Sequence, residues 1–202
     1  SEEAIGWIID HSSLMKLISE RLEETEEVVT RYGAISSTDL DGHDFIVAAD
    51  GSSSLTRNAW KLKQVTRKYS LACLTAQVLI RGINQDVAYE IFRDEGPLAI
   101  LPMGNDLYQV VWTAPYKKCL ERVKYSSASF LDMLATILPQ GAEPDLLVVK
   151  PSIFLLHASM CHVMCRGRGL LIGEASHTCH PVGGQGMNLC WRDIHDLVEL
   201  FI

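Results

Sequence analysis

The sequence predicts an α/β fold in two pieces, residues 1 to about 66 and about 160 to 202, bracketing a β-rich (α+β) insert. Three observations predict it. The run Phe45-Ile46-Val47-Ala48-Ala49 is too continuously apolar to alternate, as in a parallel-sheet strand buried on both faces, and it stops at the turn pair Asp50-Gly51. The run Gly169-Leu170-Leu171-Ile172 stops at a glycine and an acidic residue. A loop with a proline and three glycines follows, and an amphipathic stretch opens at Met187: strand, loop, helix. Between these runs, residues 70–116 hold four strand candidates parted by turn signals.

Taken in order, Ile5 to Ile9 is a short strand-like run. Residues 11–25 follow as a helix, with Asp10 or Ser12 as cap and Leu14, Ile18 and Leu22 as an apolar stripe. Residues 28–34 and 44–49 read as strands. In the insert the candidates are Leu71 to Ile80, Ala88 to Arg93, Leu98 to Pro102 and Tyr108 to Thr113. Their separators are Arg81-Gly82, Glu95-Gly96-Pro97 and Gly104-Asn105-Asp106. Residues 126–138 read as an amphipathic helix opened by Ser126-Ser127, with Phe130, Leu131, Leu134 and Leu138 on one side. Residues 153–165 suggest a further strand with a turn.

Composition narrows the function classes. A content of 48% hydrophobic and 21% charged residues over 202 positions fits a globular chain with a sizeable core. The net charge is -7, and the basic clusters Lys61 to Lys68 and Arg166-Gly167-Arg168 are short, so no nucleic-acid partner is expected. No apolar run reaches the roughly 18 residues of a membrane span. The start, Ser1-Glu2-Glu3, is unlike a signal peptide. Six scattered cysteines fit a reducing compartment, so a cytoplasmic location is expected.

Residues 173–193 resemble a known motif closely. Gly173-Glu174-Ala175-Ser176-His177, Pro181, Gly184-Gln185-Gly186-Met187-Asn188 and Asp193 follow the pattern Gly-Asp-Ala-Ala-His, Pro, Gly-Gln-Gly-(apolar)-Asn, Asp. That is the second flavin-binding motif of the FAD-dependent aromatic hydroxylases of the para-hydroxybenzoate hydroxylase fold. Asp50, Gly51, Ser54 and Arg57 match the same family's (apolar)-Gly-Ala-Asp-Gly-x-x-Ser-x-x-Arg stretch, with Ala48 where glycine is usual. Phe92 to Pro102, followed by Val110-Val111-Trp112-Thr113, is similar to the hydroxylases of ubiquinone biosynthesis.

The resemblance implies a partial Rossmann-like FAD-binding domain (1–66 and 160–202) interrupted by a substrate-binding β-sheet domain (67–159). It implies FAD as cofactor, NAD(P)H as co-substrate, O2, and a hydroxylation through a flavin C4a-hydroperoxide. It implies that Met187 and Asn188 offer backbone N–H groups to the flavin ring, with Gly184, Gln185 and Gly186 around them. Gly173 and Glu174 would serve the ribityl chain, Glu174 standing where the family prefers Asp, and Pro181 would sit over the reacting ring. Asp50 and Gly51 would lie near the pyrophosphate; Arg57 reads equally as a site residue or an ion-pair partner. Leu98, Ala99, Ile100 and Trp112 would face the flavin and substrate, although core packing explains them equally well. An apolar pocket would suit a small hydrophobic aromatic substrate such as a prenylated phenol. Peripheral association with a membrane or a multi-enzyme complex goes with such a substrate.

The family's Gly-x-Gly-x-x-Gly fingerprint is expected before residue 1 and further helices after Ile202, so the chain is expected to be a fragment that does not hold FAD tightly alone. Two other readings remain: a polyketide-type flavin monooxygenase, and a flavin-free remnant acting as an interaction module. Cys161, His162 and Cys165 with His177, Cys179 and His180 supply enough soft ligands for zinc, but the second group falls inside the flavin loop and no metal is expected.

Overall fold

The computed structural model describes residues 6–33 and 42–202. In chain order the elements are α1 (His11–Glu23), β1 (Ile46–Ala48), α2 (Leu55–Ala59), β2 (Gln64–Arg81), β3 (Tyr89–Ile91), β4 (Leu98–Pro102) and β5 (Leu107–Pro115). They continue as α3 (Tyr116–Arg122), α4 (Ser127–Ala135), β6 (Glu143–Cys161), β7 (Cys165–Arg166), β8 (Gly169–Leu171), β9 (His177–Thr178) and α5 (Gln185–Glu199). The chain divides into two compact units. One is Leu71–Leu155, with Ser1–Tyr32 grouped to it; the other is Gly33–Ser70 with Leu156–Ile202.

In the first unit, β3, β4, β5 and β2 pair in that order and β6 lies beside β2. Antiparallel register aligns Leu98 with Trp112 and Trp112 with Leu74. It likewise aligns Ile100 with Val110 and Val110 with Ala76. Side chains alternate across a strand, so these rows share one face. All six are buried, in a core with Phe130 and Leu134 of α4 and Cys119 of α3. The Ser126 hydroxyl caps α4 by accepting from the Ser129 amide, as a serine before an apolar run does.

One charge network closes over this core. The Arg122 guanidinium lies 3.8 Å above the Trp112 ring, and the Trp112 indole N–H donates to Glu95 at 2.9 Å. Arg122 and Lys118 donate to the same carboxylate. Burial alone would raise the Glu95 carboxyl. The bonds from Arg122, Lys118 and Trp112 outweigh it and bring the pKa down to about 2.

In the second unit, β1 pairs with β8 in parallel and β8 with β7 in antiparallel fashion. The core is small: Ala48, Cys161 and Leu171, packed by Trp60, Leu62 and Met164. Gly169 is required there, because a Cβ would fall 2.3 Å from the Trp60 ring.

Several sequence expectations need correction. Residues 28–33 form no strand, and the end of that prediction, Ala34, lies outside the described residues. Ile5 lies outside them too, and Gly6 to Ile9 form no strand. β1 is parallel as expected, yet Val47 is exposed, so it is not buried on both faces. β6 begins ten residues before the expected 153, despite Pro144 and Pro151. The short helices α2 and α3 were not expected, since 5 and 7 residues are too few for a period to show. α1 has no buried residue.

Two outcomes test this packing. Gly169→Ala should cost about 1–3 kcal/mol of stability by overpacking against Trp60, read by urea denaturation. Glu95 has a folded pKa below its unfolded one, so its bonds stabilise the fold above about pH 4.5 and lose that contribution as pH falls toward 2. The stability gap between the natural chain and Glu95→Gln should therefore narrow over that window; a gap that widens on acidification contradicts the network.

Candidate functional site

The matched motifs meet in the second unit. After β8, Ile172 leads into a 3-10 turn over Gly173–Ala175. Gly173 has φ +58°, a conformation that side-chain-bearing residues adopt only with strain. Its N–H donates to the Asp193 carboxylate on α5 at 2.6 Å. The same carboxylate oxygen faces His177 Nε2 at 2.8 Å. Ser176 is buried and its hydroxyl donates back to the Gly173 carbonyl. The turn is thus held from both ends, and Glu174 at its apex is exposed.

The second anchor is Arg57, which is 6% exposed. Its guanidinium donates to the Ala175 carbonyl and to the Ser52 carbonyl, both at 2.9 Å. One rigid fork therefore ties the Asp50 segment to the Gly173 turn. Ser54, also buried, caps α2 by accepting from the Arg57 amide. Asp50 accepts from the Ser54 hydroxyl at 2.5 Å and from the Thr56 amide at 3.0 Å. Burial would raise the Asp50 carboxyl, but these bonds leave it below its usual range. Gly51 takes φ +82° and its carbonyl accepts from the Ser54 amide. Both oxygens of Asp50 are therefore engaged within its own turn, and Arg57 is a staple whose partners are carbonyls.

Beyond β9 the loop runs through Cys179, His180 and Pro181. The His180 ring meets Tyr69 edge-on at 5.1 Å. Pro181, Gly183 and Gly184 are exposed. Gly183 and Gly184 both have positive φ, 76° and 61°, and a Cβ on Gly184 would meet nothing within 4 Å. Gly184 is the N-cap of α5, and no side chain caps that terminus. An N-terminus capped there leaves the Gln185, Gly186 and Met187 amides without intrahelical partners, at the positive end of the helix dipole. Gln185 turns its side chain back to the Gly183 carbonyl and receives Asn188 Nδ2 at 3.4 Å. Asn188 lies four residues past the cap, so the helix ladder takes its amide, and the free amides are those of residues 185 to 187.

These features fit a large flat ligand carrying hydroxyls and an electron-rich edge. A carboxylate stands at the turn apex, three free amides at the helix start, and open space over Gly184. A Cβ-bearing pair at 183 and 184 would be strained at those angles.

The four insert residues are placed differently. Leu98, Ile100 and Trp112 are at most 1% exposed and belong to the helix-covered core. Strand alternation puts Ala99, half-buried, on the opposite face. Val111 pairs with both Ala99 and Thr75, and Gln109 with Leu101 and Gln77, so these residues share that face. The expectation that all four residues face a ligand is corrected by this period-two count. His177 and Asp193 were legible as motif positions, but not as a pair. Among the described residues no group of three or more His, Cys, Asp or Glu converges as a metal site, and no helix is long and apolar enough to cross a membrane.

Comparison with known proteins gives the following. The family described as FAD binding domain matches residues 21–202. The mitochondrial ubiquinone biosynthesis monooxygenase COQ6 of Mus musculus is 25% identical over 253 residues, covering 96% of this chain and 53% of that protein. The 3-demethoxyubiquinol 3-hydroxylase of Escherichia coli is 22% identical over 213 residues, covering 98% of this chain and 54% of that protein. The chain thus spans about half the length of these curated relatives. PqsL of Pseudomonas aeruginosa, described as a probable FAD-dependent monooxygenase, superposes with TM-score 0.59 at 20% identity, covering 73% of this chain and 42% of that one. That match shows the fold.

Arg57→Lys tests the staple. A single ammonium does not span both carbonyls, so about 2–3 kcal/mol of stability should be lost. An unchanged denaturation midpoint means the two segments are tied by something else.

Proposed function

Because the chain belongs to the FAD binding domain family, we propose that it supplies the flavin-ring and ribityl part of a monooxygenase that hydroxylates an aromatic ring. FAD is the cofactor that goes with this family. When bound, it supplies the redox chemistry, accepting a hydride from NAD(P)H and activating O2.

The observation that carries the proposal is the uncapped start of α5 behind two left-handed glycines. The Gln185, Gly186 and Met187 amides point a fixed positive field at whatever occupies the glycine loop. Such a field favours an anionic ring edge, and it needs no reorganisation because Gly184 and the helix hold it. Glu174 offers a carboxylate to ligand hydroxyls, and Asp193 sets its position through the Gly173 amide. Pro181 stiffens the loop over the open space and carries no N–H that water or ligand would have to satisfy. Asp50 and Arg57 serve as the frame, fixing the turn from below.

For the substrate we propose an electron-rich aromatic with an apolar tail, of the prenylated phenol or quinone-precursor class. The supporting feature is the insert face carrying Ala99, Leu101, Thr75 and Val111, apolar but for Thr75 and the amide pair Gln77 and Gln109, 3.3 Å apart. The names of the mouse and Escherichia coli relatives agree with that class. Peripheral attachment to a membrane or an enzyme complex goes with it as part of the same proposal.

The chain should bind added FAD weakly but saturably, with a shift of the oxidised-flavin absorbance band. Glu174→Ala should weaken FAD binding about tenfold in a fluorescence titration, the loss of one charge-assisted bond. Prenylated phenols should stimulate NAD(P)H oxidation. Stimulation by polyketides instead would move the reading to secondary-metabolite chemistry, and a colourless protein that ignores FAD would sink it in favour of an interaction module.

A further inference from the structure

The cysteines differ in their surroundings. Cys73, Cys119 and Cys161 are buried, and Cys165 is exposed on β7. Cys119 is fully enclosed, its sulfur directed at the Ala72 and Ala114 carbonyls. Cys179 and Cys190 are half-buried, one in the glycine loop and one on α5. Gly186 and Cys190 stand one helical turn apart, which places their Cβ positions on one face about 5–6 Å from each other. The Cys179 sulfur lies 3.9 Å from where a Cβ on Gly186 would be. With no side chain at 186, the loop thiol settles onto the same face of α5 that carries Cys190. The Cys190 sulfur in turn lies 3.4 Å from where a Cβ on Gly173 would be. Two thiols thus flank one patch, bounded by the glycine turn and the start of α5.

We propose that Cys179 and Cys190 are a redox pair, a modification site at which a peroxide closes a disulfide between the glycine loop and α5. The chemistry balances in two steps. The Cys179 thiolate attacks hydrogen peroxide, the O–O bond breaks, and a sulfenic acid and one water result after proton transfer. The Cys190 sulfur then attacks the Cys179 sulfur, the S–O bond breaks, the S–S bond forms and a second water leaves. Two electrons pass from the two sulfurs to the peroxide. Cys179 is the first target, because it stands in the loop. Burial, with the Glu174 and Asp193 carboxylates nearby, pushes the Cys190 thiol up, which suits the attacked residue's partner rather than the first nucleophile. The closed bridge would join residues on either side of Gly183 and Gly184, the left-handed glycines of the loop.

This inference stands on the thiols and does not need the flavin reading, so its test is made without flavin. The reduced protein is treated with one equivalent of hydrogen peroxide at mildly alkaline pH, alkylated after unfolding, and mapped by mass spectrometry. The expected result is a loss of two hydrogen masses, a peptide pair linking Cys179 to Cys190, the other four cysteines alkylated, and full reversal by a dithiol reductant. In Cys190→Ser, a sulfenic acid at Cys179 should instead be trapped by dimedone. A sulfinic acid at Cys179 with Cys190 still fully alkylatable, or a bridge to Cys165, overturns the proposal.

Discussion

A buried guanidinium is the constraint on which the site depends. Arg57 comes from the short helix after the Asp50 turn, and it reaches two carbonyls, one in its own segment and one in the Gly173 turn. The two segments lie 118 residues apart in sequence where Arg57 meets Ala175. The parallel pairing of β1 with β8 brings them side by side, and the fork fixes their spacing. Burying a cation without a carboxylate is tolerable here because its two hydrogen bonds are charge-assisted and end on fixed backbone dipoles.

Asp193 does the complementary work from α5. It accepts the Gly173 amide and faces His177, so the glycine turn and the helix are tied to each other. The helix start then needs no cap of its own. Gly184 ends the loop in a left-handed conformation and leaves the first amides open. A serine or aspartate in that place would satisfy one of them and remove the feature that makes the terminus useful to a ligand. Stability is given up locally, at an exposed terminus, where its cost is small.

Much of this was legible in the sequence where glycine, proline and acid punctuate apolar runs. The bounds of β4 are those expected, because turn signals stand close on both sides. The glycine loop and the presence of α5 were legible for the same reason, although the helix opens at Gln185, two residues before the expected Met187. What could not be seen were long-range partners. Nothing in the residues near Arg57 names Ala175, and nothing near His177 names the Asp193 carboxylate. The early half of β6 was missed because prolines argue against a strand, yet this one runs unbroken from Glu143 to Cys161 through Pro144 and Pro151. Leu98, Ile100 and Trp112 were legible as strand residues, but alternation gives two faces and the sequence does not say which one the helices cover. The face with Ala99 emerged once α3 and α4 were seen over the other.

The most direct measurement of the central claim is an amide NMR titration with FAD. If the uncapped helix start and the Gly173 turn together form the cradle, the largest shifts fall on Gly173, Glu174 and Gly184 to Met187, and Arg57 side-chain signals move little. Largest shifts on the insert strands, with the amides of residues 184–187 unmoved, would contradict the account.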